Sequence, residues 1–83
     1  MNPEIYITYC IFDDENAFHH RDIRFETDYR HTALQWIRER PDYIMKVCAS
    51  CEISSGGAML FGYGDTASEA RKELKSQLKE YGL

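Results

Sequence analysis

Cys48-Ala49-Ser50-Cys51 sets two thiols at the spacing shared by zinc sites and dithiol redox couples, and no other stretch of the chain is as suggestive of chemistry. A structural zinc site needs four ligands, usually two cysteines on a turn that lets both sulfurs converge and a second such element to complete the set. No second pair is present; Cys10 stands alone far upstream, and His19, His20 and His31 have no ligand spacing. A redox couple needs its first cysteine at a helix N-terminus, where backbone amides stabilise the thiolate. Cys48 falls instead in a β-rich run, where residues 48 and 51 point to opposite faces. The reading is structural cysteines, with no metal and no cofactor.

The other constellations are weaker. His19 and His20 are adjacent, so on a strand their imidazoles face apart and cannot act jointly. There is no Gly-x-Ser-x-Gly elbow, no Walker loop and no His-Glu-x-x-His, and no catalytic set is assigned. Gly62-Tyr63-Gly64 before a helix has the outline of a phosphate-binding turn, but the third glycine is missing and a capping Asp65-Thr66 takes its place. Asp13-Asp14-Glu15 lacks the alternating oxygens and central glycine of a calcium loop, which leaves an acidic turn. Arg71, Lys72, Lys75 and Lys79 form a basic side on the last predicted helix, with Glu69, Glu73 and Glu80 interspersed at spacings expected to favour intrahelical pairs.

Elements able to carry these residues follow from periodicity. Ile5 to Phe12 is β-branched and aromatic, with Ile5, Ile7, Tyr9 and Ile11 on one face. After the acidic turn, alternation resumes over 19–27 with Ile23 and Phe25 on the apolar side. Thr27 or Asp28 caps a helix in which Tyr29, Ala33, Trp36 and Ile37 recur at helical spacing until Pro41. Tyr43 to Ile53 and Ala58 to Tyr63 read as a second hairpin across Ser54-Ser55-Gly56-Gly57. Thr66-x-x-Glu69 has capping-box spacing, and it opens a helix with Ala70, Leu74, Leu78 and Tyr81 at core spacing, ended by Gly82.

The order is ββαββα, an α+β fold with one four-stranded antiparallel sheet of order 2-1-3-4 and both helices on one face. Residues 1–83 form a single compact domain, small enough that a homodimer is a reasonable expectation. The opposite sheet face, with Tyr6, Thr8, Cys10 and Phe12 on its first strand, is expected to be open and aromatic.

The composition, 43% hydrophobic with 13% aromatic residues, excludes a disordered chain. The formal charge of -4 arises in the first half, where residues 1–42 carry nine acids and five bases, against five of each in 43–83. That balance disfavours generic duplex binding and fits a protein or nucleoprotein partner better. No run of apolar residues is long enough to span a membrane, and the N-terminus lacks a signal-peptide profile. A cytoplasmic protein with reduced thiols is expected.

Gly64-Asp65-Thr66-Ala67-Ser68-Glu69-Ala70, following a strand and opening a helix, resembles the Gly-Asp-Thr-x-x-Glu-Ala stretch of HicB-type antitoxin domains, and the likeness covers residues 43–81. The chain lacks the aspartate- and proline-rich turn and the DNA-binding extension of those domains. The resemblance implies a small inhibitor that blocks a nuclease through a sheet or helix surface. In size, acidity and character the chain is also similar as a class to phage-encoded anti-CRISPR inhibitors. A strand, Gly-x-Gly and helix ending looks like that of double-stranded RNA-binding domains, but those carry basic residues at the start of the helix, where this chain has Asp65, Thr66, Ala67 and Ser68.

The expected function is therefore a non-enzymatic binding domain that inhibits a larger protein or nucleoprotein complex by surface occlusion, with Tyr6, Phe12, Asp13, Asp14 and Glu15 as contacts. The alternative is a nucleic-acid-binding module using Arg71, Lys72, Lys75 and Lys79.

Overall fold

A computed structural model describes residues 4–13, 20–53 and 57–81. The elements are β1 (Tyr6–Phe12), a 3-10 turn (His20–Asp22), β2 (Phe25–Thr27), α1 (Arg30–Arg38), β3 (Ile44–Glu52), β4 (Met59–Gly64) and α2 (Ala67–Glu80). All neighbouring strands are antiparallel, in the order β2-β1-β3-β4. The ββαββα order and sheet topology are those expected from the alternation.

Register fixes the two faces. Tyr9 pairs with Val47 and with Thr27, Ile11 with Met45 and Phe25, and Ala49 with Gly62, so these residues share the face that carries both helices. Val47, Ala49 and Cys51 pack there against Ala70, Leu74 and Leu78 of α2, joined by Ile5, Ile7, Tyr9 and Leu60. Burying each large aliphatic side chain contributes about 1.5–3 kcal/mol. Against this, α2 alone would be a marginal helix in water.

The closeness of α2 to β4 explains the Gly-x-Gly pattern. A Cβ at Gly62 would lie 2.6 Å from the Ala70 carbonyl oxygen and the Leu74 amide nitrogen, and one at Gly64 2.6 Å from Glu69 Cβ. These two glycines let a helix backbone lie against a strand. They form no phosphate-binding turn.

At the start of α2, Thr66 is the N-cap and its Oγ1 accepts from the Glu69 amide at 3.1 Å. The Glu69 carboxylate reaches back one residue further than a capping box requires, accepting from the Asp65 amide at 2.8 Å. Lys46 on β3 then holds the Asp65 carboxylate at 2.6 Å, tying the turn to the sheet.

Helix α1 departs from expectation. Its N-cap is Tyr29, which makes no side-chain cap bond; Thr27 Oγ1 instead accepts from the Tyr29 amide at 3.2 Å, two residues ahead of the cap position. Its anchor is aromatic: Trp36 stacks on Phe25 with centroids 5.1 Å apart and meets Tyr43 edge-on at 5.2 Å. Arg40 caps the stack, its guanidinium carbon 3.9 Å from the Trp36 ring and its Nη1 donating to the Trp36 carbonyl at 3.0 Å.

Two further expectations are corrected. The second strand is only Phe25–Thr27, because the 3-10 turn interrupts alternation; Ile23 and Phe25 therefore lie on opposite faces of the sheet. Tyr81 is 62% exposed rather than core, since α2 ends at Glu80, before that side chain reaches the sheet.

Candidate functional site

The outer sheet face is the natural place to begin, since the aromatic contacts were expected there. Cys10, Phe12 and Cys48 lie on it, but they are 1%, 0% and 3% exposed and form a second buried cluster with Ile23, Phe61 and Tyr63 packed against it. Phe12 meets the Tyr63 ring edge-on at 6.0 Å. Phe12 is thereby removed as a contact residue. Ile23, Phe61 and Tyr63 pack around the cluster, and Ile23 reaches this face because the 3-10 turn precedes it.

The remaining N-terminal candidates are scattered. Tyr6 is 52% exposed at the far end of β1, its hydroxyl donating to Glu4 at 3.0 Å; that carboxylate also raises the Tyr6 pKa. Asp13 accepts from Arg24 Nε at 2.8 Å, an exposed pair that offsets its charge. Asp14 and Glu15 lie outside the described residues, as does His19. The structure does not bring Tyr6 and Asp13 together, because β1 separates them by its whole length.

The three thiols are all free and buried. Cys51 points under α2 and Cys48 to the outer face, as the alternation required. Cys10 and Cys48 are diagonal neighbours on adjacent strands, since Cys10 pairs with Lys46 and Thr8 with Cys48. The neighbouring Cys48 thiol, with burial, raises the Cys10 pKa, and the Cys10 thiol lowers that of Cys48 against its own burial; the Cys48 Sγ faces the Ala49 carbonyl oxygen at 3.9 Å. Burial alone raises Cys51. Tyr63, directly opposite Cys48, is also raised, chiefly by burial, and its hydroxyl finds no hydrogen-bond partner among the described residues. Among the described residues, no three His, Cys, Asp or Glu side chains gather as a metal site would require.

The solvent side of α2 is different. Arg71, Lys72, Lys75 and Lys79 are all exposed and, with Ser68 and Ser76, line one shallow depression. At about 3.6 residues per turn, the four bases occupy roughly 100° of the helix circumference. Glu69, Glu73 and Glu80 occupy roughly 40° on the adjoining flank. The helix thus has a basic side and an acidic side, divided along its length.

The expected intrahelical pairs are absent for a geometric reason. At a spacing of four, Arg71 meets Lys75, Lys75 meets Lys79, and Glu69 meets Glu73, so like stands over like; at a spacing of three Glu69 neighbours Lys72, but its carboxylate is turned back to the Asp65 amide. Each like-charge pair costs an isolated helix about 0.2–0.5 kcal/mol. The ion pairs among the described residues are Asp13–Arg24, Glu39–Arg40 and Lys46–Asp65, none of them on α2's solvent side. Helix geometry read from the sequence could have found this, together with Ser68 and Ser76, had each residue been placed by angle rather than by nearness in sequence.

No family model, curated protein or solved structure matches this chain. Its Gly-Asp-Thr-x-x-Glu-Ala stretch has a local role here, which is to start α2 and let it lie close on β4.

Proposed function

We propose that the chain is a non-enzymatic binding domain that acts by occupying a surface of a larger protein or nucleoprotein assembly, and that its contact surface is the basic side of α2. Inhibition by occlusion, of the kind implied by the resemblance to antitoxin domains and to phage anti-defence proteins, is the mode of action this reading favours. It takes the chain to be cytoplasmic. No helix among the described residues is long and apolar enough to cross a membrane.

The observation that carries the reading is charge segregation at a structural cost. Four exposed bases share one side of α2 without an ion-pair partner among the described residues, in a chain whose formal charge is -4 and whose pI is about 5.2. A helix needing only solubility would be better served by alternating signs, which stabilise at the same spacing. The N-terminal contacts are the lesser surface, because Phe12 is buried and Asp13 is ion-paired.

A polyanionic matrix provides the test. An evenly charged protein of this pI should pass through heparin or a cation exchanger at neutral pH. The wild-type chain is expected to be retained at low salt, and a Lys72→Glu, Lys75→Glu variant to flow through. Passage of the wild type without delay would remove α2 as the contact surface.

A further inference from the structure

Resting on that reading of α2, we infer that its partner is the phosphodiester backbone of a duplex nucleic acid, met from outside along one strand and without regard to sequence.

The spacing fits. Arg71, Lys75 and Lys79 form one row, each about 6 Å beyond the last, so the row spans about 12 Å. One strand of a duplex presents three to four phosphates over about that axial length. Lys72 flanks the row, and Ser68 and Ser76 add exposed hydroxyls to the same depression, where they can donate to phosphate oxygens as serines at such interfaces commonly do.

The chemistry of the surface separates this partner from others. Interfaces between proteins have centres depleted of charge and enriched in aromatic residues, whereas the described residues lining the depression on α2 are four bases and two serines. Surfaces that bind nucleic acid are more polar and more positive. Single strands are held by aromatic platforms on which bases stack; none of the described residues lining the depression is aromatic.

The acidic flank decides the pose. A helix is about 10–12 Å across and the major groove about 12 Å wide, so a seated helix has phosphates on both flanks. Glu69, Glu73 and Glu80 would then face one of those strands. The helix must therefore lie against a single backbone with its acidic flank turned outward. Such a pose gives no access to base edges.

Anisotropy of labelled duplex DNA and duplex RNA of mixed sequence, titrated with the full chain over a salt series, tests this. Binding is expected at low ionic strength, equal for scrambled sequences, with log K falling against log salt at a slope of about -3 to -4 for four phosphate contacts. Lys72→Ala and Lys75→Ala should each flatten that slope by about 1. Glu73→Gln, on the outward flank, should leave it unchanged. Circular dichroism checks that each variant remains folded.

Several results overturn the inference. A polyglutamate peptide that competes as well as the duplex would identify an acidic protein as the partner and leave the wider reading of α2 standing. A single-stranded homopolymer that binds more tightly than the duplex, or a strong sequence preference, would contradict the pose. If the chain binds neither duplex, polyglutamate nor heparin, both the inference and the reading of α2 fall.

Discussion

At Gly62 the backbone of α2 passes so close that a single methyl group would collide with the Ala70 carbonyl and the Leu74 amide at 2.6 Å. Neither is the yielding end of a side chain. Gly62→Ala is therefore expected to cost about 1–3 kcal/mol, the usual range for overpacking, read as a lowered urea midpoint. A midpoint within error of wild type would mean that α2 can stand off from β4. The thiols give a second test. Cys10 and Cys51 keep their protons above the ordinary thiol value of 9.0, Cys51 through burial and Cys10 through the neighbouring Cys48 thiol as well as burial. The unfolded chain, with ordinary thiols, releases protons first as pH rises. Stability contributed by these groups is thus complete below about pH 9 and declines above it. Cys48 is shifted the opposite way, so its contribution is complete by about pH 9, while Tyr63, raised from its ordinary value of 10.0, adds to the loss above that value. The urea midpoint is expected to fall between about pH 9 and about pH 11; a constant or rising midpoint over that window would contradict the buried thiol cluster.

Among the elements, α2 carries both the fold and the candidate surface, and its two ends of the argument can be varied separately. Thr66→Ala removes the cap bond to the Glu69 amide and is expected to cost about 0.5–2 kcal/mol in thermal unfolding without altering retention on heparin. Gln77 reaches round the sheet edge, its Nε2 donating to the Phe61 carbonyl at 2.8 Å. β4 is an edge strand, and exposed edges invite pairing with other chains. Gln77→Ala is expected to lower stability by about 0.5–1.5 kcal/mol and to raise self-association in sedimentation; an unchanged sedimentation profile would show that the edge is guarded by other means. The strands, their order and the start of α2 were legible because period-two alternation and a capping pair are local signals. What escaped was long-range. Nothing in the alternation of β1 tells that Ile23, Phe61 and Tyr63 will pack against the cluster holding Phe12, since Ile23 reaches that face only where a 3-10 turn breaks the second strand. The uncapped start of α1 escaped for a like reason, because the Phe25, Trp36 and Tyr43 stack that holds the helix joins three separate elements. The bases of the candidate surface were visible by type, but their lack of ion-pair partners among the described residues emerged only from the angles at which the helix presents them.

In the molecule as a whole, two hydrophobic clusters meet through one strand. β3 has β1 on one edge and β4 on the other. Val47, Ala49 and Cys51 are buried beneath α2, while Cys48 and Ser50 are buried on the outer side. The strand is paired with both neighbours over Val47–Ser50 and screened on both faces over Val47–Cys51. Its amides can reach deuterated solvent only when the entire structure opens, whereas those of α1, a nine-residue helix without a side-chain cap, can do so through local fraying. Amide exchange should therefore be slowest across Val47–Cys51 and should track global unfolding there. The stretch of sequence that looked most like a reactive centre is, on this view, the place where the protein is least open to the world around it.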